Sequence, residues 1–184
     1  NTNSENIVKV GIGVMVIKDN KVLLGKRKGS HGEGEYAWPG GHLEYMESFE
    51  GCARREVLEE TGMTIKNICF LRLKNFREYA PKHYVDIQVT AEWESGEPKV
   101  LESDRVHDWN WYDLNNLPSP LFAALPTALE AYKTGRNGIV NMEKHNEIKQ
   151  LISSVLDRGY LTTLAIMDEG GVWACDVIYI YDDD

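Results

Sequence analysis

Apolar and polar residues are distributed along the chain in patterns that predict most of its secondary structure. The β-branched segment "VKVGIGVMVI" predicts a strand, and "KVLLGKRK" predicts a second strand that a "KDN" turn joins to it as a hairpin. Three later segments, "IKNICFLRLKNF", "HYVDIQVTAEW" and "HDWNWYDL", also predict strands. These patterns together indicate a β-sheet.

Two segments predict helices. The first begins at the N-cap Ser48, runs to about Thr61 and ends at Gly62, because glycine readily closes a helix C-terminus. The second is "FAALPTALEAYKTG", which has a proline near its first turn. Before the first helix, "GSHGEGEYAWPGGHLE" predicts a loop that a short apolar piece at residues 36–38 interrupts.

The polar segment "KTGRNG" predicts a boundary, with one domain at residues 1–137 and a helix–hairpin segment at residues 138–184. In that segment, five apolar residues share one helical face: Ile148, Leu151, Ile152, Val155 and Leu156. The sequence "LTTLAIMDEGGVWACDVIYIYDDD" follows and predicts two strands with a Glu-Gly-Gly turn. One helix and one hairpin bury little core. The segment is therefore either an appendage on the first domain or a partner chain, or the start of a longer domain.

Composition and charge narrow the expected partners and location. The chain has 184 residues, of which 42% are hydrophobic, and its formal charge of −9 would repel the phosphates of a nucleic acid. Three cysteines without a CxxC pair indicate free thiols in a reducing compartment. No apolar run has the length of a membrane span, and the polar start lacks a signal-peptide core. We expect a cytoplasmic protein with no nucleic-acid or membrane partner.

Six glutamates are concentrated between Gly40 and Met63, in "GGHLEYMESFEGCARREVLEETGM". At helical spacing, Glu56, Glu59 and Glu60 fall within an arc of roughly 100°, on the side that also carries Phe49 and Cys52. Like charges at i,i+4 repel, and they repel more strongly near an interior. A hard divalent cation such as Mg²⁺ or Mn²⁺ would neutralise them. The alternative is a solvated acidic face with an Arg55–Glu59 ion pair.

The spacing of this segment resembles the Nudix box at every position: Gly41, five residues, Glu47, seven residues, Arg55-Glu56-Val57, one residue, Glu59-Glu60, one residue, Gly62-Met63. The chain is similar to MutT-like Nudix hydrolases over about residues 8–135. The resemblance implies an α/β fold, an α/β/α sandwich around a mixed sheet, and metal-dependent cleavage of a nucleoside diphosphate linked to another moiety. "LLGKRKGSHGEGEYAWPGGHLE" and "PLFAAL" are similar to the nucleotide triphosphate diphosphatase subgroup.

The resemblance also implies roles for individual residues. Glu56 and Glu60 would be the main metal ligands, with Glu59 close by and the Gly40 carbonyl as a further ligand. Glu56 or Glu59 would accept the proton of the attacking water, and the sequence leaves both open. Arg55 would orient these carboxylates through charge-assisted hydrogen bonds and so belongs to the catalytic set.

Residues around the glutamates complete the predicted site. Glu47 would support the loop–helix–loop, while Gly40, Gly41 and Gly62 would be backbone positions that exclude a larger side chain. Gly41 would also belong to the substrate-binding set. Arg27 and Lys26 would meet substrate phosphates, or would be ordinary strand-surface charges. His42 would bind substrate or serve the structure. Phe122, Ala124 and Leu125 match a segment that lines the base pocket in the subgroup, or they are core residues.

The predicted function is Mg²⁺-dependent hydrolysis of a nucleoside triphosphate, oxidised or otherwise modified or not, to the monophosphate and pyrophosphate. Alternatives are another nucleoside-diphosphate-X, a prenyl diphosphate, or a nucleotide-sensing module without turnover. The tail resembles the start of a pyridoxamine-phosphate-oxidase-like, flavin-binding split barrel, most of which is absent from this sequence, so the resemblance does not imply flavin binding by this chain. Because an incomplete hairpin is liable to pair with another copy, a homodimer is one predicted assembly.

Overall fold

The computed structural model describes residues 7–29 and 31–135, and the backbone of residues 138–140. The described residues form one eight-stranded sheet and two helices. The strands are β1 (Lys9–Lys18), β2 (Lys21–Arg27), β3 (Tyr36–Ala37), β4 (Gly40–His42), β5 (Thr64–Phe76), β6 (Tyr84–Ser95), β7 (Val106–Asp113) and β8 (Gly138–Val140). The helices are α1 (Phe49–Thr61) and α2 (Leu125–Thr134).

The sheet is mixed, as predicted. Its main path runs β3-β2-β1-β6-β5-β8, while β4 pairs with β1 and β7 pairs with β2. The β1–β6 and β5–β8 pairs are parallel, and the remaining pairs are antiparallel. Strand β1 is therefore the strand to which β2, β4 and β6 are all attached.

The predicted β1–β2 hairpin is present, with Lys18 opposite Lys21. The two residues between them, Asp19 and Asn20, have φ angles of 49° and 59°. Two consecutive positive φ angles define a type I′ turn, which matches the twist of paired strands and favours asparagine and aspartate.

The two faces of the sheet carry separate cores, each covered by one helix. On one face, Ile12, Val14 and Val16 of β1 pack with residues of α1 such as Val57. On the other face, Met15 packs with residues of α2 such as Ala128. This alternation has the period of two that a strand requires. It gives the three-layer α/β/α arrangement that the sequence predicted.

Two local features differ from the prediction. The predicted loop before α1 contains β3 and β4, and β4 is a strand whose first two residues are glycines, a composition with no strand propensity. Helix α2 begins at Leu125 and not at Phe122. The backbone N–H of Phe122 donates to the carbonyl of Tyr36 at 2.9 Å, so this residue is tied to β3 before the helix starts.

Strand β8 lies beyond the predicted boundary at residue 137 and pairs with β5 of the same sheet. The helix and hairpin predicted after it lie outside the described residues, and the domain limits stay a prediction. Cys52 and Cys69 are free thiols, whereas Cys175 lies outside the described residues. Within the described part of the chain, neither helix is long and apolar enough to cross a membrane.

Candidate active site

Helix α1 is held at both ends by its predicted caps. The Ser48 hydroxyl accepts a hydrogen bond from the Gly51 N–H at 3.0 Å, and Gly62 takes the left-handed conformation with φ of 73°. Between these caps, the exposures of the three clustered glutamates differ. The pair spaced i,i+4, Glu56 and Glu60, is only 6% and 8% exposed, whereas the Glu59 side chain is 53% exposed. The site thus contains two buried carboxylates and one at the surface.

Phe49 does not share the environment of the buried glutamates, contrary to the angular prediction. It lies in the first turn of α1 and is 47% exposed, whereas Cys52 is fully buried. An angular projection treats all turns of a helix alike, but only the turns that lie over the sheet are covered.

Arg55 joins the glutamates to the preceding loop. Its Nε and Nη2 donate to the two carboxylate oxygens of Glu47 at 2.9 and 2.8 Å. Its Nη1 donates to Glu56 Oε1 at 2.7 Å and to Glu59 Oε2 at 3.1 Å. A fifth bond runs from Nη2 to the His42 carbonyl at 3.1 Å. A planar guanidinium is suited to such a network because its donors point in fixed directions.

The pKa values of the glutamates in this site are shifted in opposite directions. The hydrogen bonds from Arg55 lower the pKa of Glu47 to about 2, and those to Glu47 raise the pKa of Arg55. Burial raises the pKa of Glu60 to about 8 and also raises the pKa of Glu56, despite the proximity of Arg55 to Glu56. Glu47 is therefore firmly paired with Arg55, whereas at Glu56 and Glu60 the effect of burial on the pKa outweighs that of the neighbouring positive charge.

Strand β4 brings its backbone directly against these carboxylates. The Gly40 N–H donates to Glu60 Oε2 at 3.1 Å. A Cβ atom on Gly41 would lie 2.2 Å from Glu56 Oε1, far inside van der Waals contact. Only glycine fits at position 41 without displacing the Glu56 carboxylate, which accounts physically for the first glycine of the sequence motif.

The donor set fits a hard divalent cation. Glu56 and Glu60 supply desolvated carboxylate oxygens that a positive charge would stabilise, and Mg²⁺ and Mn²⁺ prefer oxygen ligands. No three His, Cys, Asp or Glu side chains among the described residues are already arranged as a ligand set. Arg55 instead holds Glu56 and Glu59, and Glu60 faces the Gly40 amide. Binding a cation therefore requires a side chain to leave its present bond, or ligands from the backbone and water.

The glutamates lie at one end of a cleft of about 810 Å³ that extends along β1, β4 and β6. Basic side chains also line this cleft, namely Lys9, Arg27, Lys28, Lys82 and Arg105. The arrangement places carboxylates and cations around one cavity, which suits a metal-bound polyanion. This local field differs from that of the whole chain, whose formal charge is −9.

The predicted substrate-binding residues are distributed unequally around this cleft. Arg27 lines it, lies with Cζ 4.5 Å from the centroid of the Phe122 ring, and has its pKa lowered by burial. His42 also lines it, and its ring stacks on Tyr84 with centroids 5.7 Å apart. Lys26 is not among the described cleft residues, and its Nζ lies 5.9 Å from the Tyr36 ring centroid. Of the two predicted basic residues on β2, Arg27 lines the described cleft and Lys26 does not.

Phe122, Ala124 and Leu125 all line the cleft. Ala124 and Leu125 are 1% exposed and belong to the core around α2, so the core and pocket interpretations both apply to them. Trp109 of β7 packs against the other core and also lines the cleft.

A polar group that the motif spacing does not predict lies on the cleft wall formed by β6. Asp86 and Gln88 line the cleft beside Trp38, and Gln88 is 2% exposed. A signal was present in the segment "YVDIQV", where polar residues occupy alternate positions of an otherwise apolar strand. Alternate residues share one face of a sheet, so this pattern places both polar side chains together.

Comparison with known proteins identifies the family. The NUDIX domain family model matches residues 8–133, which is more than half of the chain. The fold and the carboxylate-bearing helix thus define a Nudix-type α/β/α protein. The chain belongs to the Nudix family.

Curated relatives of the chain differ in their named substrates. It is 35% identical over 114 residues to an ADP-ribose pyrophosphatase of Methanocaldococcus jannaschii, covering 61% of this chain and 66% of that protein. It is 32% identical to an oxidized purine nucleoside triphosphate hydrolase of Danio rerio, covering 57% and 66%. It is 34% identical to the NAD-capped RNA hydrolase NudC of Pseudomonas syringae, covering 68% and 44%. The chain thus spans less than two thirds of these relatives' lengths.

Among solved structures, the chain is similar to a MutT NUDIX hydrolase from Burkholderia pseudomallei. The TM-score is 0.65 at 34% identity, with 68% of this chain and 98% of that chain covered. This likeness confirms the predicted mixed-sheet fold with two helices.

Proposed function

We propose that this chain is a divalent-metal-dependent pyrophosphohydrolase that acts on a nucleoside triphosphate, ordinary, oxidised or otherwise modified. Hydrolysis of the bond between the α- and β-phosphates consumes one water and yields the nucleoside monophosphate and pyrophosphate. The observation that carries the proposal is the placement of Glu56 and Glu60, which are both buried at one end of a cleft that cationic side chains line.

The chain's own residues supply positioning and proton transfer. Arg55 fixes Glu56 and Glu59 through one nitrogen, so both carboxylates stay oriented toward the same region of the cleft. Either of them accepts the proton of the attacking water. Arg27, Lys9 and Lys82 line the same cleft and bind the phosphate oxygens of the substrate.

Glu56, Glu60 and the carbonyl of Gly40 would hold Mg²⁺ or Mn²⁺. Glu59, which is more exposed, would be a further ligand. When bound, this cation neutralises charge that develops on the phosphate oxygens during hydrolysis. The small-molecule nature of the substrate, a cytoplasmic location, the absence of a nucleic-acid partner and a homodimeric assembly remain predictions. The named activity of NudC on capped RNA makes RNA-linked dinucleotides a necessary part of any substrate panel.

Another nucleoside-diphosphate-X is the second candidate substrate, because a relative is named an ADP-ribose pyrophosphatase. A prenyl diphosphate is a third, since the cleft also has apolar walls. A non-catalytic nucleotide sensor is the alternative outside the enzyme class. The complete set of box glutamates favours the enzyme over the sensor. A sensor does not turn over its ligand and therefore does not need a cluster of buried carboxylates.

The test replaces Glu56 by Gln and measures turnover of nucleoside triphosphates, ADP-ribose, NAD-capped RNA and prenyl diphosphates with Mg²⁺. We expect Glu56→Gln to lower kcat by about a hundredfold or more, because it removes one buried carboxylate charge from the site. Glu50→Gln is the matched control. It makes the same charge change on the same helix, where Glu50 is exposed and pairs with Arg54 at 2.8 Å.

Circular dichroism and thermal unfolding would show that both variants fold. Undiminished turnover in folded Glu56→Gln would contradict the proposed role, as would full activity after thorough chelation of metal. Metal-dependent turnover confined to ADP-ribose or to a prenyl diphosphate would replace the nucleoside triphosphate by that substrate.

A further inference from the structure

Three hydrogen-bonded side chains, those of Trp38, Gln88 and Asp86, form part of the cleft wall. The Trp38 Nε1–H donates to Gln88 Oε1 at 2.6 Å. The Gln88 Nε2 group in turn donates to both carboxylate oxygens of Asp86, at 2.8 and 2.9 Å. An indole nitrogen only donates, so it fixes which end of the Gln88 amide faces Trp38 and which end faces Asp86.

These three hydrogen-bonded side chains have little freedom to rearrange. Trp38 and Gln88 are 5% and 2% exposed. Gln88 lies across the backbone of Gly13, where an added Cβ would be 2.5 Å from Gln88 Oε1. Gly13 is also the sheet partner of Gly40, whose N–H holds Glu60. The polar wall is therefore fixed close to the carboxylates of α1.

Of the three side chains, that of Asp86 can still accept hydrogen bonds from a ligand. A carboxylate has about four acceptor sites, and among the described residues only the Nε2 group of Gln88 donates to it. Asp86 lines the cleft, and burial raises its pKa while nearby Arg72 and Lys74 oppose that shift. A ligand with two adjacent N–H donors would satisfy both oxygens at once.

The cleft that Asp86 lines also has apolar walls, which favour a flat, apolar ligand body. Phe76 is 3% exposed and Leu125 is 1% exposed, and both line the cleft together with the Phe122 ring. Aromatic and aliphatic walls beside one polar group are what a nucleobase requires, since its faces stack and its edge forms hydrogen bonds.

We infer that Asp86 determines base specificity by accepting hydrogen bonds from the N1–H and the 2-amino group of a guanine-type base. This inference rests on the proposed hydrolysis of nucleoside triphosphates. Among the common bases, guanine alone presents two adjacent donors on that edge. Adenine and cytosine place a ring acceptor beside their amino group, and uracil flanks its N–H with two carbonyls that a carboxylate repels. Oxidation of guanine at C8 leaves the recognised edge unchanged.

The test compares GTP, ITP and UTP as substrates with Mg²⁺, because hypoxanthine is guanine without the 2-amino group. In the wild type we expect kcat/KM for GTP to exceed that for ITP by about tenfold and that for UTP by more, as charged hydrogen bonds require. In Asp86→Asn we expect kcat/KM for GTP to fall by about 10- to 100-fold, whereas the UTP value should rise, because the substitution removes the carboxylate that repels the uracil carbonyls. The retained UTP turnover shows in the same sample that the variant folds and cleaves.

Asp108→Asn is the matched control, because Asp108 is exposed on β7 and the substitution makes the same charge change. It should keep the guanine preference. Metal-dependent hydrolysis without preference for GTP, or a preference that survives Asp86→Asn, would overturn this inference and leave the proposed hydrolase standing. If no nucleoside triphosphate is hydrolysed, the proposed substrate class is wrong, and this result alone does not decide the role of Asp86. Calorimetric binding of GMP and IMP to the wild type and to Asp86→Asn then decides the inference, and equal affinities overturn it.

Discussion

Arg55 makes hydrogen bonds in two directions, toward the loop before α1 and along α1 itself. Toward the loop it forms a two-point contact with Glu47, and along the helix one nitrogen reaches Glu56 and Glu59. The neighbouring residue Arg54 bonds to Glu50 and to the Ile65 carbonyl, outside the cleft. Two adjacent arginines thus have different surroundings, and only one of them touches the carboxylates of the site.

These adjacent arginines provide a test at the level of one side chain. Arg55→Lys keeps the charge but removes the planar fork, so lysine cannot contact Glu47 and Glu56 in the same geometry. We expect kcat to fall by about 10- to 100-fold, because misplaced catalytic groups lose that much rate. Steady-state kinetics on the preferred substrate measure the effect, with Arg54→Lys as control. A comparable loss of kcat in both variants would attribute the effect to the helix as a whole.

At this scale the sequence predicted residue types better than residue environments. Fixed spacing identified Glu47, Arg55 and the three clustered glutamates, because a motif records which residues are required. Spacing did not predict that Glu59 is exposed while Glu56 and Glu60 are buried. That difference arises from where β4 crosses the helix. Asp86 was missed for a related reason, since Trp38, which fixes the Gln88 partner of Asp86, reaches Gln88 only after the sheet has formed.

Secondary-structure elements were predicted accurately where a local signal ends them. Ser48 and Gly62 bound α1, and Asp19 and Asn20 turn the first hairpin, because each supplies a backbone or side-chain conformation that its position needs. Strand β4 has no such signal. Its residues pair with β1 over Gly11, Ile12 and Gly13, so its conformation depends on a neighbour that is distant along the chain.

The C-terminal cap of α1 gives a prediction for element stability. Gly62 has φ of 73°, and the nearest atom to an added Cβ would be Leu101 Cδ1 at an uncrowded 3.6 Å. Gly62→Ala should therefore lower the free energy of unfolding by about 1 kcal/mol through backbone conformation alone. Gly62→Asn should lower the free energy of unfolding by less than Gly62→Ala does, because asparagine tolerates the left-handed region. Urea unfolding measures both, and equal losses in the two variants would point to a side-chain clash instead.

For the whole molecule, β8 bears on where a folded fragment can be cut. The boundary at residue 137 stays a prediction, and residues 138–140 pair with β5 in the same sheet. The separate resemblance of the tail to a split barrel concerns residues outside the described part of the chain. A unit that includes β8 contains the two helices, all eight strands and the cleft described above.

Truncation after Val140 tests this boundary. We expect the 1–140 fragment to fold and to keep kcat and KM within about twofold of the full chain, because all described cleft residues precede β8. A 1–137 fragment, which lacks β8, should be less stable than the 1–140 fragment while retaining the same cleft. Thermal unfolding and steady-state kinetics on both fragments measure the difference. Loss of activity in a folded 1–140 fragment with the oligomeric state of the full chain would show that the tail shapes the active site.

The floor of the cleft consists largely of strand glycines, including Gly11, Gly13, Gly40 and Gly41. These glycines lie in the β1–β4 and β1–β6 ladders, and the Gly40 N–H is held by Glu60, so the main chain is ordered before any ligand arrives. Binding therefore has little main chain to order there, and the entropic cost on the protein side falls mainly on the long basic side chains along the walls. Hydrogen exchange should accordingly be slow in this floor even in the free protein, and ligand should change it little.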